Sequence, residues 1–166
     1  MDLKKHINYI INAHTLYPKT ARNKSRYWDK KTPYYIHPIW CAMTILTETS
    51  LPKNLRENGA IALLYHDVLE DTNAKLPKSL NKKIKSYVEQ LTFYKGFEEE
   101  KKLLLDKTIE IKLLKLYDKV SNLLDGVWMN KKERKDYANF TKKIMQEVEA
   151  QYGLLNIVKI AREIIK

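Results

Sequence analysis

Residues 66–71 of this 166-residue chain read His-Asp-Val-Leu-Glu-Asp, directly after an almost wholly apolar run, Gly59-Ala-Ile-Ala-Leu-Leu-Tyr65. A carboxylate or imidazolium removed from water costs free energy unless a partner charge or a metal ion compensates it. Four ionisable groups at the end of a buried-looking segment therefore point first to a metal or acid–base centre. With about 100° between successive helical residues, His66 at zero puts Glu70 at about 40°, Asp67 at about 100° and Asp71 at about 140°. All four share an arc with Ala60, Leu63 and Leu64, one or two turns earlier, so the polar cluster continues an apolar face. The bland alternative is a solvated helix end, but acids there oppose the negative end of the helix dipole.

A metal needs more ligands than two neighbours supply. His37, just before Pro38 and at the start of a helical pattern, is the best further imidazole. His14 falls on the face of Ile7, Ile10 and Ile11 and reads as a satisfied core histidine, and His6 reads as surface. Asp118 is the best further carboxylate: Ile111, Leu114, Asp118 and Asn122 form one stripe at helical spacing, which aims both polar residues at the core. Two imidazoles and two carboxylates suit a divalent ion of borderline hardness, such as Mn²⁺, Fe²⁺ or Zn²⁺.

The elements that must position these residues are helical. Asp2 is placed to cap a helix over 3–16, and a basic loop follows over roughly 17–36. A second helix starts near His37, and Ser50-Leu-Pro-Lys53 breaks it. One helix is expected over 54–71, a loop over 73–77, and a helix from Ser79 to about Leu91. Residues 98–125 read as helix with an interruption near Lys107 and Thr108. Helices over 131–152 and 154–165 follow, separated by Gly153 in a helix-stopping position. No useful period-2 run appears and only four glycines are present. The expectation is all-α, a single compact bundle of about seven helices, with residues 1–166 forming one domain.

Hydrophobic residues make up 44% and charged residues 31%, as in an ordinary soluble protein. No segment resembles a signal peptide, and no run approaches the roughly 18 apolar residues of a membrane span. The single cysteine, Cys41, forbids an intramolecular disulfide and reads as a small core residue. A cytoplasmic setting is therefore expected. The net charge is +11, and residues 1–31 hold eight Lys or Arg against two Asp. Such a segment attracts phosphates, on a nucleotide or a nucleic acid.

Three separated stretches resemble one known family. Pro33-Tyr-Tyr-Ile-His-Pro38, Ala62-Leu-Leu-Tyr-His-Asp-Val-Leu-Glu-Asp-Thr72 and Lys115-Leu-Tyr-Asp-Lys-Val-Ser-Asn122 are similar to the PYxxHP, LLHDxxEDT and KLxDxxxN elements of the guanosine polyphosphate (ppGpp) hydrolases. These form the Rel/Spo-type branch of the HD-domain metal-dependent phosphohydrolases, which includes the small alarmone hydrolases. The resemblance runs in order from about residue 33 to 125. It implies an HD-domain helical bundle in which His37, His66, Asp67 and Asp118 hold one Mn²⁺. Glu70 and Asp71 match the family's acidic pair, which orients and deprotonates the attacking water. Asn122 and Tyr137 would contact the nucleotide, and Arg26 and Lys24 are the nearest counterparts of the family's basic substrate-contacting residues. The chain departs from the pattern between His14 and Pro33, where it is longer and lacks a Gly-Gln pair.

The implied reaction removes the 3′-pyrophosphate of ppGpp or pppGpp, a phosphorylated guanine nucleotide, with no membrane or nucleic-acid partner. There is no room in these residues for a synthetase domain. Two other readings compete: an HD hydrolase acting on a different phosphorylated nucleotide, and a basic helical nucleic-acid-binding protein. The last predicts steeply salt-dependent binding and leaves the four candidate ligands without a purpose.

Overall fold

The computed structural model describes residues 2–20 and 24–165. Arg22, part of the basic N-terminal segment, lies outside them. Nine α-helices carry the described chain: α1 (Leu3–Leu16), α2 (Ile36–Leu46), α3 (Lys53–Tyr65), α4 (Val68–Asp71), α5 (Lys82–Leu91), α6 (Phe97–Leu103), α7 (Ile109–Leu124), α8 (Lys131–Tyr152) and α9 (Asn156–Ile164). The described residues contain no β-strand, only isolated bridges. The all-α expectation is met.

The helix boundaries have local causes. Asp2 accepts from Lys5 N at 3.2 Å to start α1. The side chain of Asn81, two residues beyond the expected Ser79, accepts from Ile84 N and opens α5. Asn130 and Glu133 form a reciprocal capping box at α8, which satisfies two otherwise orphaned donors. Gly153 ends α8 at φ 77°, a conformation that favours glycine. The interruption foreseen near Lys107 and Thr108 is a 3₁₀ turn, Leu104–Asp106, followed by a fresh start at Thr108.

One expectation needs correction. The helix foreseen over 54–71 is not continuous: α3 stops at Tyr65, and His66 and Asp67 form a turn before α4. There the His66 ring turns back, its Nδ1 2.7 Å from the Leu63 carbonyl, and Asp67 sits at φ −92°, ψ −5°, in the sparsely populated bridge region. The arc computed for a straight helix therefore does not describe these four side chains, although they still converge.

α2, α3 and α7 pack centrally. Gly59 on α3 permits this, because a Cβ there would lie 2.8 Å from Leu114 Cδ2 and 3.0 Å from Ile45 Cδ1. The apolar core draws on α1, α2, α3, α5, α7, α8 and α9, with Ile45, Leu63, Leu64, Ile111, Leu114 and Ile144 fully buried. Cys41 is buried within it, as expected. α9 has no cap of its own. Instead buried Glu48, just past α2, accepts from Asn156 N and Ile157 N at 3.0 and 2.9 Å and from Tyr117 Oη at 3.2 Å. No helix among the described residues is long and apolar enough to cross a membrane.

Candidate metal and catalytic site

The start of α2, the break between α3 and α4, and the middle of α7 meet at one buried point. There His37 Nε2 lies 3.2 Å from His66 Nε2. Asp118 Oδ1 lies 3.2 Å from His37 Nε2 and 3.5 Å from His66 Nε2. Asp67 flanks both rings, Oδ2 3.2 Å from His37 Nε2 and Oδ1 3.1 Å from His66 Nε2. His37, His66 and Asp118 each offer an atom within 4.8 Å of the others.

The outer face of each ring is engaged. His66 Nδ1 faces the Leu63 carbonyl, and His37 Nδ1 lies 2.7 Å from Ser121 Oγ. With a proton on His66 Nδ1 for that carbonyl, the inward Nε2 carries a lone pair. Two inward imidazole nitrogens 3.2 Å apart, ringed by carboxylates, require a cation or protons between them. Metal–ligand bonds of about 2.0–2.2 Å imply ligand-to-ligand edges of about 3.0–3.5 Å around an ion, and the contacts above span that range. The donor set therefore fits a divalent ion. Without one, the carboxylates, Asp67 foremost, outweigh burial and raise His66 to about 9. Burial pushes Asp67 up, but His66 and His37 outweigh it and hold it below the usual carboxylate range.

An open-mouthed cavity of about 310 Å³ adjoins this cluster, within the usual size of small-molecule sites. Asp67, Glu70, Asp71, Asp118 and Asn122 line it. Burial raises Glu70 to about 7 and Asp71 to about 6, with Asp67 adding to both. One Glu70 oxygen accepts from Phe93 N at 2.6 Å, which fixes the side chain. Tyr34 donates to Asp67 Oδ2 at 2.8 Å and is also hydrogen-bonded to Asp71. Asn122 donates to Asp118 Oδ1 at 2.7 Å.

The remaining expected contacts divide. Tyr137 lines the cavity and accepts from Lys119 Nζ at 2.9 Å. It also packs with Leu123 and Met129, so it is both core aromatic and cavity wall. Arg26 lines the cavity but is already engaged, with Nε 3.0 Å from Asp125 Oδ2 and a guanidinium bond to the Ser121 carbonyl at 3.0 Å. Asp125 also accepts from Tyr27 N and Trp28 N at 2.9 and 2.6 Å. One carboxylate thus pins the whole 26–28 turn. Lys24 is exposed and does not line the cavity; its carbonyl instead accepts from Tyr34 N.

Several cavity residues lay outside the sequence expectations. Lys115 and Lys119 straddle Asp118 one turn apart, which their spacing within 115–122 could have suggested. Glu100, in the acidic run 98–100, gave no such signal, and nor did Asp125. His14 is buried as foreseen, but neither ring nitrogen has a hydrogen-bond partner among the described residues. It is therefore not a satisfied core histidine, and burial lowers it to about 4.

No family model and no curated protein matches the chain. A solved structure does, that of a metazoan ortholog of SpoT which hydrolyzes ppGpp and plays a role in starvation responses. The TM-score is 0.75 at 24% identity, covering 97% of this chain and 92% of the other. The two chains share a fold. The single all-helical bundle expected from the sequence thereby matches a known fold over nearly the whole length.

Proposed function

We propose that the chain is a Mn²⁺-dependent pyrophosphohydrolase that converts ppGpp or pppGpp, with water, to GDP or GTP and pyrophosphate. The observation that carries this reading is the convergence of His37, His66, Asp67 and Asp118 beside a cavity lined by two half-buried acids of raised pKa. The activity of the metazoan protein that shares the fold supports the choice of substrate.

In this reading the four residues would hold the ion, which would supply Lewis acidity and make a water easier to deprotonate. Glu70 and Asp71, which line the adjoining cavity, would take that proton. Their burial makes them stronger bases than exposed carboxylates, and matching a base to the working pH favours proton transfer. The water oxygen attacks the phosphorus attached to the 3′ oxygen, the P–O3′ bond breaks, the 3′ oxygen takes up the proton released from the water, and pyrophosphate departs. Asn122 and Tyr137 would contact the nucleotide. Arg26, which Asp125 holds in the cavity wall, and Lys24, exposed beyond the lining, would be the basic residues on the substrate side. The setting we propose is the cytoplasm.

The test is pyrophosphate release from ppGpp by the full chain with Mn²⁺. Release from other phosphorylated nucleotides alone would replace this substrate with the broader HD-hydrolase reading. Asp67→Ala should lose metal and activity together, as read by metal content and turnover, and full activity in that variant would remove the assignment.

A further inference from the structure

Among the described residues, six acids and three cations line the cavity: Asp67, Glu70, Asp71, Glu100, Asp118 and Asp125 against Arg26, Lys115 and Lys119. Each cation already has an acid partner among them. An anionic substrate therefore meets no unpaired cation among the described lining residues, and this bears most on the two lysines of α7. Asp118 divides its oxygens: Oδ1 faces the imidazoles, while Oδ2 lies 2.9 Å from Lys115 Nζ and 3.9 Å from Lys119 Nζ. The lysines thus sit one carboxylate away from the candidate metal.

Across from them, Glu100 of α6 places Oε2 2.6 Å from Lys119 Nζ and 3.8 Å from Lys115 Nζ. One anionic oxygen between two ammonium groups is the arrangement a phosphate oxygen adopts with paired lysines. The other oxygen, Oε1, is buried with no hydrogen-bond partner among the described residues. Glu48, which serves the fold alone, shows the contrast: both its oxygens are used. A buried acceptor left unpaired is costly, so half of the Glu100 carboxylate gains nothing from its present position.

We propose that Lys115 and Lys119 form a phosphate subsite and that Glu100 is a resident anion in it, which a phosphate of the ligand displaces. This deepens the hydrolase reading, on which the nature of the phosphate donor rests, by naming the groups that receive the polyphosphate. The subsite itself can be probed without turnover. Glu100 holds down affinity for phosphate until a ligand also gains the metal, and so favours anions that reach both.

The probe is inorganic pyrophosphate, titrated calorimetrically into the full chain at fixed free Mn²⁺. Glu100→Gln keeps the shape and frees Lys119 from its counter-charge, so it should bind pyrophosphate about fivefold tighter or more. Lys119→Met should bind it about tenfold more weakly, and the double variant should show no gain over Lys119→Met. A structural role alone predicts no tightening. Unchanged or weaker binding by a folded Glu100→Gln overturns the proposal. Should that variant fail to fold, melting carries the test: pyrophosphate should raise the melting temperature of the wild-type chain and not of Lys119→Met, and an equal rise in both overturns it. Turnover of ppGpp is scored separately. Tightening without ppGpp hydrolysis would sink the substrate assignment and leave the subsite standing.

Discussion

Glu70 and Asp71 are adjacent, similarly buried and raised in pKa, yet differently held. Glu70 is anchored to the backbone of residue 93, whereas Asp71 shares the Tyr34 hydroxyl with the candidate ligand Asp67. Glu70→Gln preserves that anchor and removes the base. It should keep its metal while kcat falls roughly 10²-fold or more, as loss of a general base commonly produces. An unchanged kcat would move the proton-accepting role to Asp71. The acid limb of the wild-type rate profile belongs to the same pair. Activity should fall as pH drops and these carboxyls take up protons, with a midpoint below about 7, because a bound cation lowers both pKa values. At this scale the sequence was legible wherever chemistry and spacing coincide, as at His37, His66, Asp67 and Asp118. It was silent on Glu100 and Asp125, whose partners are 19 and about 100 residues away and leave no periodic trace.

Helix periodicity located most elements because each buries a stripe, and caps such as Asp2 and Asn130 act within a few residues. It missed the break at His66 and Asp67, where the run is apolar on every side and nothing in the pattern marks a change of direction. The start of α9 depends on distant chain as well, since Glu48 caps it across 108 residues. Replacing Glu48 with Ala leaves two backbone donors and the Tyr117 hydroxyl without their acceptor. Stability should drop by roughly 2–4 kcal/mol, read by denaturant unfolding, and a loss under ~0.5 kcal/mol would show that water serves α9 equally well. Gly59→Ala tests the α3–α7 approach. Overpacking there should cost roughly 1–3 kcal/mol, although alanine is the better helix former.

For the whole molecule, the +11 charge surrounds a cavity in which acids outnumber cations. The exterior attracts polyanions from a distance, and in the function proposed above the interior would accept them once a divalent ion is bound. Glu70, Asp71 and His66 all bind protons more tightly folded than unfolded, at about 7, 6 and 9. Their stabilisation is complete below the unfolded values and disappears as pH rises through the folded ones. Asp67 and Asp118 have the opposite sign and act only in more acidic solution, while His14, lowered to about 4, opposes the three below about pH 6.5 without outweighing them. The metal-free protein should therefore lose melting temperature between about pH 5 and about pH 8. Mn²⁺ should restore more of it at the higher pH, and a flat metal-free profile would contradict the buried-acid geometry.

The pinning of residues 26–28 by Asp125 has a kinetic consequence. The Tyr27 and Trp28 amides end on a carboxylate that belongs to the end of α7, so they cannot become protected until that helix has formed. In a refolding experiment with pulsed deuterium labelling, these two amides should gain protection together and after the middle of α7. In the native protein they should exchange at one shared rate, because a single carboxylate releases both.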